Sequence, residues 1–246
     1  MCGIAGFIIS ENCKSKKNFS LKNLLVMLDS MKHRGPDDMG VFHEGSKRIA
    51  NENYYDYRRI ENSFDLFLGH RRLSIIDLSK KGHQPMHSFN DRYTITFNGE
   101  IYNYLELKNE LKHKFKFQSN TDTEVLVNAF IEWGPDMLNK LDGMFAFSIW
   151  DSKLKELFCA RDPFGIKPFY FFNNDNLFAF SSDPLSILQS FNLDRSMDKA
   201  RISEFLLFGL SDHDDGTSFD NINQLPGGSW MVVDSSCRIK KQEIYW

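Results

Sequence analysis

The sequence predicts an α+β fold: antiparallel sheets packed on each other, with helices outside. Three observations carry this. The elements run as one strand, one helix, several strands, two helices and a meander of short strands. The strict βαβα alternation of a doubly wound sheet is missing. The meander is rich in aromatic residues, and its joints are short polar turns.

Residues 2–9 read as a strand in which Cys2, Ile4, Gly6 and Ile8 share one face. Ser10–Ser20 is polar and predicts a loop. Leu21, Leu24, Leu25, Leu28 and Met31 fall at helical spacing, for a helix ending near His33. Gly35 and Pro36, within Arg34-Gly35-Pro36-Asp37-Asp38, then force a turn before a strand at Met39–His43. Glu44–Asp65 is polar and reads as a surface excursion. A strand is expected over Leu66–Ile76, a loop over Lys80–Asn90, and a strand at Tyr93–Phe97 that ends at the turn dipeptide Asn98-Gly99. Helices follow at Asn103–His113 and Asp122–Trp133, the second with Thr121 as N-cap and Glu124 three residues on. The meander comprises Met144–Trp150, Leu154–Arg161, Pro168–Phe172 and Leu177–Ser181. Helical spacing returns at Pro184–Phe191 and Asp198–Phe208, and the final strand is expected at Ser229–Asp234. Composition shifts near residue 210, which divides the chain into a body, 1–210, and a C-terminal part, 211–246, leading into a linker.

At 246 residues, 41% hydrophobic and 26% charged, the chain has the make-up of a soluble globular protein. A net charge of −3 gives no reason to expect nucleic acid or an anionic membrane as partner, and no apolar run could span a bilayer. Four scattered cysteines without CxxC spacing argue against a zinc site and a disulfide framework, so the expected setting is cytoplasmic. The histidines show no metal-ligand spacing, and no metal is expected.

The most informative stretch is the N-terminus, Met1-Cys2-Gly3-Ile4-Ala5-Gly6. Removal of the start methionine would leave Cys2 carrying both a thiol and an α-amine. The amine has a reference pKa of about 7.7–8.0 and the thiol about 8.5, so nucleophile and base would sit on one residue. A thiol attacking a carboxamide needs oxyanion donors. Asn98-Gly99 offers a side-chain amide and a backbone N–H, although the dipeptide equally suits a plain turn. An amino-acid substrate would need a guanidinium for its carboxylate and an acid for its ammonium. Arg71 and Arg72 point to opposite faces of their strand, so one of the two can line a pocket. Asp122 and Glu100 could each hold an ammonium; Asp122 could equally serve its own helix end, and Glu100 could face solvent.

Eight segments resemble, in order, the glutaminase domain of glutamine-dependent asparagine synthetases, class II glutamine amidotransferases with an N-terminal nucleophile. They are Cys2-Gly3-Ile4-Ala5-Gly6, His33–Asp38, Gly69–Asp77, Gly82–Met86, Phe97–Asn103, Thr121–Glu124, Leu141–Phe147 and Arg161–Pro168. The resemblance implies a four-layer αββα fold, two mainly antiparallel sheets sandwiched between helices. It implies Cys2 as nucleophile, with Asn98 and Gly99 as the oxyanion hole. Arg72 would hold the α-carboxylate of L-glutamine, and Asp122 and Glu100 its α-ammonium. It implies no cofactor for glutamine hydrolysis; ATP and Mg2+ belong to a C-terminal synthetase domain whose SGGxDS loop is absent from this chain. That domain is the expected partner, and a homodimer is left open. Sugar-phosphate aminotransferases share the N-terminal cysteine but carry a different motif where this chain has His70–Ser74.

The chain departs from the family pattern in two further places. The polar stretch at 47–65 is long, and Ser182-Asp183-Pro184-Leu185 stands where a Glu and a Lys are usual. The reading is therefore a glutaminase whose ammonia serves ATP-dependent amidation of aspartate. The alternatives are a catalytically silent glutamine-sensing or docking domain and an amidotransferase with another acceptor.

Overall fold

A computed structural model describes residues 1–16, 19–44, 65–211 and 214–246, so the polar excursion at 45–64 lies outside the described residues. Among these, strands form two six-stranded sheets, and every pairing is antiparallel. The first sheet runs, in spatial order, β10 (Asn223–Gln224), β8 (Tyr170–Asn173), β9 (Leu177–Ser181), β1 (Gly3–Ile9), β3 (Asp65–Arg72) and β2 (Asp38–His43). The second runs β12 (Ile239–Ile244), β11 (Ser229–Asp234), β7 (Glu156–Arg161), β6 (Gly143–Asp151), β5 (Tyr93–Ile101) and β4 (Met86–His87).

Burial divides the core into three apolar layers, which is what stacks the elements four deep. Ile4 and Ile8 of β1, Leu66 and Leu68 of β3, Ala146 and Trp150 of β6, and Phe178 and Phe180 of β9 fill the space between the sheets. Alternation along each strand sends the intervening residues outward. Ala5, Phe7 and Phe67 meet helices α1 (Leu21–Ser30) and α4 (Pro184–Phe191). Phe97, Phe145 and Phe147 meet α2 (Tyr104–Leu111) and α3 (Asp122–Trp133). Helix α5 (Lys199–Phe208) buries none of its residues. This is the αββα sandwich expected from the resemblance.

Several boundaries differ from expectation for identifiable reasons. Strand β3 stops at Arg72, not Ile76, because its neighbours run out: Gly3 pairs with Arg71 and Asp38 with Arg72. Asn98-Gly99 is not a turn. Both residues lie inside β5, opposite Ala146 and Phe145, and the ladder with β6 continues to Ile101. A Cβ on Gly99 would collide with the Met144 carbonyl and stand 2.7 Å from the Phe97 ring, so the glycine meets a packing need. Strand β7 begins at Glu156 because Lys155 takes a left-handed φ of 57° in the turn before it. The expected loop at Lys80–Asn90 contains the two-residue β4, and β12 follows the strand expected to be last. Its Lys240, Lys241, Gln242 and Glu243 are exposed, as suits a sheet edge, so no apolar pattern marks it.

Candidate active site

Parity along the strands decides what faces the space between the sheets. Cys2 is in phase with Ile4, Arg72 with Leu68, and Asn98 lies opposite Ala146, so all three share the inner face at one end of the sandwich. Glu100, two residues beyond Asn98, continues that face. Arg71 points outward, donating to the Leu28 carbonyl at 2.9 Å and the Asp29 carboxylate at 2.7 Å beneath α1. The structure thus commits Arg71 to α1 and leaves Arg72 for the interior.

The half-buried Cys2 thiol accepts the Leu73 N–H at 3.4 Å, just past the end of β3. Burial pushes the thiol pKa up, and the Asp122 carboxylate adds to this; the Leu73 N–H, the N-terminal ammonium and the Arg72 guanidinium pull it down. Arg34 donates through Nε to the Cys2 carbonyl at 3.2 Å, which fixes the backbone beside the thiol.

Arg72 is buried, and backbone holds it: Nη1 donates to the Ser79 carbonyl at 3.1 Å and Nη2 to the Asp77 carbonyl. Two of its five N–H groups are used there, leaving a fork for a carboxylate. Gly82 makes room, since a Cβ there would overlap the guanidinium. The Arg34–Asp38 run ties this turn to the sheet. Asp37 accepts the Ser74 N–H at 2.8 Å, and Asp38 pairs with His83 at 2.7 Å.

The Asn98 side chain is 1% exposed, and its Nδ2 has no hydrogen-bond partner, a cost it shares at this end with Arg34 Nη2 and His70 Nδ1. Gly99 presents a second donor by a different route. Phe145 spends its N–H and C=O on Asp162, away from β5, so its partner Gly99 directs its own N–H to the opposite edge of β5. On that edge the Phe97 N–H goes to Gln84 Oε1 at 2.8 Å and the Ile101 N–H to Asp122 Oδ2 at 3.2 Å. The Gly99 N–H lies between them, where no strand runs beside β5.

Asp122 heads α3, whose cap is Thr121 accepting the Glu124 N–H at 3.2 Å. Asp122 is therefore not the cap. Burial, reinforced by the Glu100 charge, raises its pKa to about 6 against three backbone hydrogen bonds that lower it. Glu124 turns its carboxylate back onto Gln118 N, Ser119 N and Ser119 Oγ, at 2.7, 2.7 and 2.6 Å, and so braces the turn before α3. Buried His70, whose Nε2 lies 3.0 Å from the Phe97 carbonyl, bridges the sheets beside Asn98; burial drops its pKa to about 3, so it stays neutral.

Two contributors escaped the residue-by-residue reading. Gln84 links β5 to α3, with Nε2 donating to Thr123 Oγ1 at 3.2 Å. The Arg161–Pro168 loop closes the same end of the sandwich. Asp162 accepts the N–H groups of Phe145, Phe164, Ile166 and Lys167, while Arg161 donates to the carbonyls of Gly165, Lys167 and Leu225. Both lie in segments that carried the resemblance, and that was their only signal. Among the described residues no cluster of three or more His, Cys, Asp or Glu could hold a metal, and no helix is long and apolar enough to cross a membrane.

A cysteine just ahead of an inner strand of an αββα sandwich, aimed between the sheets, is the arrangement expected of the N-terminal-nucleophile fold. The solved glutamine phosphoribosylpyrophosphate amidotransferase from B. subtilis, complexed with ADP and GMP, shares this fold. It matches at a TM-score of 0.68 and 18% identity, covering 100% of this chain and 49% of that one. A family model, glutamine amidotransferase domain, matches residues 55–246, and the chain belongs to that family. A Methanocaldococcus jannaschii protein provisionally named a glutamine-hydrolysing asparagine synthetase is 34% identical over 100% of this chain and 46% of its own length. A Bacillus subtilis asparagine synthetase (glutamine-hydrolysing) is 35% identical over 85% of this chain and 31% of its own. The chain thus spans less than half the length of these relatives.

Proposed function

We propose that this chain hydrolyses glutamine and supplies the ammonia to a synthetase domain that amidates aspartate. With Met1 removed, the Cys2 α-amine takes the thiol proton as Sγ attacks the side-chain carboxamide carbon. The Asn98 amide and the Gly99 N–H stabilise the oxyanion. Collapse transfers the proton to the leaving nitrogen and releases ammonia. Water then cleaves the γ-glutamyl thioester, giving glutamate and free thiol. The Arg72 fork receives the α-carboxylate, while Asp122 and Glu100 receive the α-ammonium. The observation carrying this reading is the buried, unpartnered Asn98 amide on the face that Cys2 shares.

Residues 1–210 form the body of the glutaminase domain in this reading, and 211–246 its C-terminal part leading to the synthetase domain. ATP with Mg2+ would activate the acceptor there, in the cytoplasm. The relatives' names and greater length support that assignment. The decisive experiment is Cys2→Ala with glutaminase assay and circular dichroism: hydrolysis is expected to vanish with the fold intact. Ammonia release at the parent rate would sink the reading. Intact mass of the parent protein is expected to lack one methionine; a retained Met1 favours a silent glutamine-binding domain.

A further inference from the structure

The Arg161–Pro168 loop carries a charge that the proposed reaction has not used. Lys167 is 6% exposed, and among the described residues its ammonium makes no hydrogen bond or ion pair. The stem is buried while the ammonium keeps some access to solvent, so the chain holds a charge at the edge of the interior without a bonded counter-charge. The nearest acid, Asp162, is already committed: its two oxygens accept four backbone N–H groups, which fills the usual capacity of a carboxylate. Asp162 offers Lys167 a field without a bond.

Strand register sets Lys167 level with Cys2, two strands across the first sheet. Three residues after Lys167, Tyr170 of β8 pairs with Ser181 of β9, and Ser181 pairs with Ala5 of β1. Going back along β8 therefore runs in the direction that leads from Ala5 to Cys2. The loop is also tied to the second sheet at Phe145, the residue opposite Gly99. Lys167 is consequently held where the ends of the two sheets converge. Burial lowers its own pKa, opposed by the charges of Asp162, Cys2 and Glu100, while Arg34 adds to the lowering.

We propose that Lys167 is a positioning residue for the reaction, a fixed ammonium held by the Arg161–Asp162 loop as counter-charge to the Cys2 thiolate. This deepens the glutaminase reading and rests on it. Other charged groups face Cys2 too. The N-terminal ammonium and Arg72 favour the thiolate, Asp122 opposes it, and Arg34 also lies within reach of its charge. Lys167 is not among the strongest influences on the thiol, which bounds the expected effect at its lower end.

The test is the pH dependence of Cys2 alkylation by iodoacetamide, followed by mass spectrometry, a readout that needs no turnover. In Lys167→Met and Lys167→Gln the alkylation midpoint is expected to rise by about half a pH unit, with Lys167→Arg restoring it. Glutaminase kcat at pH 7 should fall about threefold in the neutral variants, with KM little changed. Circular dichroism checks the fold of each variant, and two neutral replacements guard against loss of one. An unchanged midpoint in a folded neutral variant, or failure of Lys167→Arg to restore it, overturns the inference and leaves the glutaminase reading standing. Persistence of hydrolysis in Cys2→Ala would fell that reading instead.

Discussion

The space between the sheets has two adjoining regions built on opposite terms, an apolar one along the strands and a polar one at the Cys2 end. At one, Phe169 and Phe180 stack at 5.1 Å, and the Phe180 ring fills the room that Gly6 leaves without a side chain. The side chains packed around that pair, Ile4, Ile8, Leu68 and Phe178, are buried and apolar. At the other, Arg72 retains free N–H groups, Asn98 Nδ2 is buried without a partner, and Asp122 is a carboxylate whose burial raises its pKa to about 6. The first region stabilises the sandwich; the second costs stability and leaves polar groups in reserve for a ligand. The same strands, β1 and β5, cross from one regime to the other, so a rigid apolar half positions a polar half that could not hold its own geometry.

Substitution should separate the two regions. Phe180→Ala is expected to cost about 3–5 kcal/mol in urea unfolding, since the stacked ring leaves a cavity, with the per-molecule activity of folded protein little changed. Asn98→Ala should do the reverse. It should lower kcat about 100- to 1000-fold, as loss of an oxyanion donor does, while thermal melting shows no loss, because the amide has no partner to abandon. A comparable fall in melting temperature would mean that Asn98 is structural.

Asp122 gives a smaller effect with an unambiguous sign. Its folded pKa of about 6 lies above the unfolded value. The folded state therefore binds the proton more tightly, and this stabilisation is complete below about pH 4 and lost as pH rises through 6. At pH 8 Asp122→Asn should be more stable than the parent by about 1–3 kcal/mol, the gain vanishing below about pH 4. The same titration should raise the parent's KM for glutamine as pH falls below 6, because the neutral acid no longer attracts an ammonium; denaturation and steady-state profiles check both.

The layers and most elements were legible in the sequence because apolar alternation records burial directly. The ends of elements were not. β3 stops where its neighbours stop, a fact of pairing rather than of its own residues, and the run Leu73-Ser74-Ile75-Ile76 continues to look like a strand. Asn98-Gly99 carries the signature of a turn, yet pairing with β6 overrides it. For the site, the two arginines are indistinguishable by type; the Leu28 carbonyl and Asp29 on α1 separate them. Lys167 was invisible as an individual because burial of a lysine has no sequence signal.

The shortness of β4 has a consequence of its own. Were that strand to run back from Met86 in the same register, Gly82 would pair with Gly99 and could capture its N–H. Pro85 interrupts the ladder by lacking a donor, and the Gln84 side chain, rather than its backbone, serves Phe97. A bare strand edge normally invites another chain to add to it. Here Gln84 and Asp122 occupy the flanking positions and leave a gap one residue wide, too narrow for a strand and wide enough for a single oxygen atom.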